Sequence, residues 1–278
     1  MEKDFFFLLR VRQATSICSA LVSVIGMFVV SSAIADRIGI NFVGGSQMRG
    51  TPSPVGPAEV AGVFPQKFWN NACEKNGSLF PIGDDGKGSS ASYNGFSVNW
   101  EAFQINTHPI MPSLGPKSGT KGPPDYRLGL GYLEAAGNQP AIVRLSNIPD
   151  KFTDAGRSYS LVVYFTLDNI DFKNHTSAEK VNIFTLEGAK AGEKMICGLQ
   201  PSGMKPPLVG WVEVSEKSTT DEGEKTPAGN YVVFSHLTDK DVTLTARGGF
   251  ASDGVPRAAI NAIQIIPYTP IAADASEH

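Results

Sequence analysis

Tyr159-Ser-Leu-Val-Val-Tyr-Phe-Thr-Leu167 is the stretch whose reading decides the fold. Its residues are almost all aromatic, β-branched or aliphatic, and Ala155-Gly156 punctuates the chain just before it. A short apolar run of this kind, without helical spacing, reads as a strand buried on both faces. That places it at the centre of a packed sandwich. Residues 242–247 give the complementary pattern, with Val242, Leu244 and Ala246 alternating with Thr243, Thr245 and Arg247. One face of that strand is expected to be wet.

Working outward, strands are expected at 38–43, 59–64, 96–100, 141–146, 181–186, 193–198, 208–214, 230–237 and 259–266. Turn residues separate them: Asn147-Ile-Pro-Asp150, Gly188, Pro227-Ala-Gly229 and Gly248-Gly249. No long helical period is present, although residues 126–136 could hold one helical turn or two. A loop rich in Pro and Gly runs from His108 to Tyr126, and a loop this long is often where binding happens. No blade-length repeat is visible, so short strands with long connections favour a two-sheet jelly roll over a propeller.

The chain has 278 residues, of which 29 are Gly and 19 Pro, with 41% hydrophobic and 18% charged. These values exclude collagen, a coiled coil and a disordered chain. A length of this size suits one all-β domain, here residues 36–270, with 271–278 as a flexible tail. The net charge of −3 supplies no basic face for nucleic acid.

The first 35 residues have the plan of a secretory leader. Lys3, Arg10 and Arg12 precede an uncharged apolar run at 16–30, and Ala33 and Ala35 form an A-x-A site before Asp36. The run is shorter than the roughly 20 residues of a spanning helix. Secretion with cleavage, and no membrane association afterwards, is therefore expected, with an uncleaved anchor as the alternative. Of the three cysteines, Cys73 and Cys197 lie beyond the leader. In an oxidising compartment they are either one disulfide or two separate thiols.

Particular phrases carry a family resemblance. Ile38-Gly-Ile-Asn-Phe-Val-Gly-Gly45, Val60-Ala-Gly-Val-Phe-Pro-Gln66, Trp69-Asn-Asn71 and Leu130-Gly-Tyr-Leu-Glu134 occur in that order. Gly229-Asn-Tyr-Val-Val-Phe-Ser235 and Arg257-Ala-Ala-Ile-Asn-Ala-Ile-Gln-Ile-Ile266 follow them. Together they resemble the galactose-binding-like jelly-roll modules of secreted proteins from environmental bacteria. The resemblance spans nearly all of residues 38–267. It implies an extracellular β-sandwich that accompanies glycan-handling or surface proteins, and it brings no catalytic set with it.

The residues themselves offer little catalytic chemistry. No H-E-x-x-H motif occurs, and His108, His175, His236 and His278 are widely spaced. Gly95-Phe-Ser97-Val-Asn99 fails the nucleophile-elbow pattern at its last position. Glycoside hydrolysis needs only two carboxylates across a cleft. Glu101, Asp125, Glu134, Asp168 and Asp171 could serve, but among 27 acidic residues any pair is easily found. No cofactor is implied beyond a candidate structural calcium. Asp84-Asp85 and Asp168-Asn169-Ile-Asp171 would offer it hard oxygen ligands, although acidic turn residues commonly form Asx-turns.

Sugar binding uses aromatic faces for the apolar side of the ring and amides, carboxylates or Arg for the hydroxyls. Trp69 with Asn71, Trp211, and the cluster Asp125-Tyr126-Arg127 have that chemistry. Trp211 shares a strand face with Glu213, whereas Trp100 shares one with Phe96 and Val98 and is expected in the core. The leading expectation is a non-catalytic extracellular protein binding a glycan or cell-surface polysaccharide. The alternatives are a structural surface or matrix protein without a small ligand and, third, a glycan-active enzyme.

Overall fold

The computed structural model describes residues 37–44, 54–87, 93, 95–107, 122–166, 170–171, 176–177, 180–188, 192–199, 211–214 and 227–268. The chain separates into two units, Met1–Ile34 and Ala35–His278. The leader with its expected cleavage site, most of the 108–126 loop and the tail lie outside the described residues. Among the described residues, no helix is long and apolar enough to cross a membrane.

In chain order the first elements are β1 (Ile38–Phe42), β2 (Asn70–Ala72), β3 (Asn76–Leu79), β4 (Ser97–Glu101), β5 (Gln104–Thr107), α1 (Pro124–Leu128), β6 (Gly131–Ala136), β7 (Ala141–Ser146), α2 (Asp150–Thr153) and β8 (Ser158–Tyr164). They are followed by β9 (Ile170–Asp171), β10 (Thr176–Ser177), β11 (Lys180–Gly188), β12 (Gly192–Leu199), β13 (Ala228–Gly229), β14 (Tyr231–Leu237), β15 (Val242–Ala251), β16 (Arg257–Ile260) and β17 (Ala262–Tyr268). The fold is all-β and β-sandwich-like. A five-stranded sheet runs β14-β8-β17-β1-β2, and a seven-stranded sheet runs β13-β12-β11-β15-β7-β4-β3. A three-stranded sheet, β16-β6-β5, and the small pair β9–β10 complete it. The pairings are antiparallel except β1 with β2 and β12 with β13.

The two-residue period of the strands builds the core. Tyr159, Leu161 and Val163 of β8 face inward with Ile263 and Ile265 of β17 and with Phe42 of β1. They share one buried cluster with Val143 and Leu145 of β7, Leu244 and Ala246 of β15, and Trp100 of β4. The other face of β8 presents Val162 and Tyr164 to a second buried cluster. The strand is thus apolar on both sides because both sides are covered, as its sequence predicts. β15 alternates buried and half-exposed residues over its first half, as expected of a strand with one wet face.

Several expectations need correction. Residues 59–64 form turns with a single bridge between Ala61 and Gln66, not a strand. Their backbone is satisfied by side chains: Gly62 N–H donates to Asp125 Oδ1 (2.7 Å) and Val63 N–H to the Tyr164 hydroxyl (2.9 Å). The candidate helical stretch 126–136 is one turn, α1, followed at once by β6. Gly248 is inside β15 rather than in a turn. A Cβ there would lie 2.4 Å from the Arg257 nitrogen, so only glycine lets β16 pass this close.

The expected strand 259–266 divides at Asn261 into β16 and β17. Asn261 is fully buried and is a corner post. Its amide donates to the carbonyls of Gly129 and Gly131 (both 2.8 Å), and its Oδ1 accepts from Thr166 N–H (2.5 Å). Its own backbone bonds Tyr164 and Phe42, tying β8 and β1 to the same corner.

The two cysteines do not form a disulfide. Cys73 is an exposed, free thiol. The neighbouring Glu74 carbonyl accepts from Trp100 Nε1 (3.0 Å), which fixes this segment beside β4. Cys197 lies on β12, paired with Asn182. β7, β15 and β11 intervene between β4 and β12, a separation of roughly 19 Å at the usual strand spacing. A disulfide needs Cα atoms within about 7 Å. Partial burial, and then the charge of Glu74, pushes the Cys73 thiol above its ordinary pKa. We therefore expect Cys73 to be alkylated slowly in the native protein without reductant, as peptide mapping would read. Labelling that appears only after reduction would contradict this.

Candidate functional site

The outer face of the five-stranded sheet is covered by residues 54–69, by α1 and by residues 211–214. Together they bury a polar seam. Tyr164 donates to Gln264 Oε1 (2.7 Å), and the Gln264 amide donates to the Phe64 carbonyl and to Gln66 Oε1 (both 2.7 Å). Burial outweighs the other influences on Tyr164 and raises its phenol strongly, so it stays protonated and donates. All four Gln264 and Tyr164 polar contacts reach the 62–66 strip, the sheet or each other, which pins the strip in place.

At the end of this seam the structure brings together residues far apart in sequence. Residues 211–214 lie alongside the start of β14, with Glu213 bridging Tyr231 and Val214 N–H bonded to the Tyr231 carbonyl. Trp211 and Glu213 therefore share the outer face, as their alternation predicts. Trp211 is half-buried. Its ring meets that of Tyr164 in a T-shaped pair, with centroids 4.7 Å apart and planes at 68°. Its Nε1 donates to Asp125 Oδ1 at 3.3 Å. Tyr231 donates to Glu213 Oε2 at 3.1 Å. Asp125 and Glu213 are both exposed; Asp125 meets the indole nitrogen directly, and Glu213 lies two residues along, held by Tyr231.

The other candidate sugar ligands play structural parts. Trp69 is only 3% exposed. It lies over Gly39, where a Cβ would come within 2.6 Å of its ring, and donates to the Ala61 carbonyl (3.2 Å). Its ring also meets Tyr164 edge-on, so it is a wall behind Trp211 rather than a platform. Asn71 bonds Val55 through both ends of its amide and accepts from Asn41. Arg127 is buried in α1. It donates to the carbonyls of Gly122 and Pro54 and pairs with Glu59 Oε1 (2.5 Å), clamping α1 to the 54–59 strip. Tyr126 is half-buried beside it, and burial raises its phenol pKa.

Glu134 on β6 is 1% exposed and accepts from the amides of Gln104 and Asn106, with Arg257 Nε 3.3 Å away. Its charge is fully matched within the three-stranded sheet. The Asp84-Asp85 stretch forms a turn in which Asp85 Oδ1 accepts from Lys87 N–H (2.8 Å), an Asx-turn. Among the described residues no three His, Cys, Asp or Glu side chains gather to hold a metal. Asp171 lies in β9, and Asp168 lies outside the described residues. Of the four histidines, His236 is described; it stacks on Tyr268 with centroids 4.0 Å apart.

Sequence reasoning passed over Tyr164 and Tyr231 as site residues. Both sit in apolar strands, and only the register Tyr231↔Tyr164 sets their rings side by side, with Tyr164 against Trp211. Tyr231 is pushed up to about 12, first by burial and then by the charge and hydrogen bond of Glu213. In the unfolded chain it ionises near pH ~10. The folded state therefore holds its proton more tightly. Its contribution to stability is complete below about pH 10 and is lost as the pH rises through about 12. We expect Glu213→Gln to bring the Tyr231 phenolate absorbance change back toward pH 10, measured against Tyr231→Phe. A wild-type Tyr231 that titrates near 10 would contradict this geometry.

Comparison of the chain with protein-family models, with curated proteins and with solved structures finds no match to any of them.

Proposed function

We propose that this chain is a non-catalytic carbohydrate-binding protein that acts outside the cell, on a jelly-roll scaffold of the galactose-binding-like kind. The observation that carries this reading is the half-buried Trp211 with the exposed carboxylate of Asp125 on its indole nitrogen and that of Glu213 two residues along the chain. The indole, held by Tyr164 and only half-buried, keeps exposed surface for the apolar side of a sugar, and the carboxylates accept from its hydroxyls.

The test is a glycan array on the chain, followed by titration of Trp211→Ala. Because Trp211 is half-buried, the variant should lose about 2 kcal/mol of stability, less than the 3–5 of a fully buried Trp, and still fold. Its glycan affinity should fall at least tenfold, about 1.4 kcal/mol. Unchanged affinity in a folded variant rejects the site, and a wild type that binds no glycan rejects the function.

A further inference from the structure

The carboxylates beside Trp211 allow the ligand class to be named, an inference that rests on the carbohydrate-binding reading above. Each carboxylate is oriented through one oxygen. Asp125 Oδ1 accepts from Gly62 N–H and from Trp211, and Glu213 Oε2 accepts from Tyr231. Among the described residues no donor engages Asp125 Oδ2 or Glu213 Oε1, and both side chains are exposed. The cation nearest in sequence, Arg127, is held by Gly122, Pro54 and Glu59 and turns no donor to the indole. The described residues thus offer acceptors, negative charge and an aromatic face, and no cation.

We propose that the preferred ligand is an amino sugar carrying a free ammonium group. An ammonium brings three donors, which the open carboxylate oxygens can accept. It is attracted to the face of an indole more strongly than to any other side-chain ring. A uronic acid would instead set like charge against Asp125 and Glu213. A neutral sugar would use the acceptors through its hydroxyls but brings no opposite charge to them. The net charge of −3 on the whole chain favours approach of the same class of ligand.

The full chain is titrated calorimetrically with three tetrasaccharides: glucosamine, its N-acetylated counterpart and galacturonic acid. The free amine should bind about tenfold tighter than the N-acetylated form, the sum expected of a cation–π contact and exposed charge pairs. The uronic acid should not bind, and the amine preference should shrink at high salt. Asp125→Asn and Glu213→Gln, which keep an acceptor for Gly62 or Tyr231, should each weaken amine binding by about three- to fivefold. Binding of the N-acetylated form, which meets the same side chains through hydroxyls alone, should weaken less than that of the amine. The wild-type salt dependence tests the charge even if a variant folds poorly.

Tighter binding of the N-acetylated or uronic ligand overturns the ligand class and leaves carbohydrate binding standing. So does an amine preference that survives when Asp125→Asn and Glu213→Gln are combined, or at high salt. Binding of none of the three, with some other glycan captured on the array, has the same meaning. No glycan bound at all overturns both readings.

Discussion

Asn261→Leu is expected to cost on the order of 3–5 kcal/mol. The substitution is close in size, so packing changes little, but the side-chain bonds at the corner disappear. Thr166 N–H and the Gly131 carbonyl lose their partner, while the Gly129 carbonyl keeps the Thr166 hydroxyl. Each buried backbone group left unsatisfied costs about 1–3 kcal/mol. Against a typical total of about 5–15 kcal/mol this brings the protein near its folding threshold. The urea midpoint reads it. Asn261→Asp separates the two halves of the side chain, since a carboxyl still accepts from Thr166 but must be protonated to donate to Gly129 or Gly131. Its folded pKa would be raised above the unfolded value of about 3.9. The variant should therefore gain stability as pH falls toward 4 and lose it as pH rises toward 7. A Leu variant within about 0.5 kcal/mol of wild type would show that the corner does not depend on this residue.

Phe42→Ala is expected to cost about 3–5 kcal/mol, the usual toll of removing a fully buried aromatic. Phe42 has no exposed surface and ends β1 in the five-stranded sheet. Its ring meets Trp100 of the seven-stranded sheet edge-on, with centroids 5.8 Å apart. It is thus a contact across the sandwich, and no neighbour on its own strand can refill the space. Phe80, 77% exposed, is the control, and Phe80→Ala should stay within about 0.5 kcal/mol. Thermal melts of the two variants make the comparison. Equal losses would mean that the two sheets do not share this core.

Much of the candidate site was legible and some was not, for definite reasons. The nomination of Trp211 followed from alternation, and its half-burial beside the outward Glu213 agrees with that reading. Asp125 was nominated as part of a separate loop cluster. The structure joins the two, because α1 delivers Asp125 to the indole across 86 residues of chain. Trp69 and Asn71 looked like the same chemistry but hold the 54–69 strip against the sheet. Nothing local tells a tryptophan that seats on Gly39 from one that stands free, since the difference lies in a backbone 30 residues away. Arg127 was misread similarly: its charge suggested a ligand contact, whereas burial against Glu59 and two carbonyls makes it a clamp.

The sequence by itself determined the all-β class, the longer apolar strands and which of their faces are dry; it missed short strands such as β2, β3 and β5 and took residues 59–64 for one. The buried stretch around Leu161, the one wet face of β15 and the span of β7 follow from a period of two, a property of neighbouring residues. The tertiary structure alone decided which strands are neighbours. That order puts three strands between β12, which carries Cys197, and β4, beside which the Cys73 segment is held; it also breaks the last long apolar run at Asn261 and sets Tyr231 beside the Tyr164 that meets Trp211. The physical reason is that a dry face specifies burial but not its partner. Many strand orders would cover the same apolar area, and the choice among them rests on long-range backbone pairing and on single buried polar groups that only one arrangement satisfies.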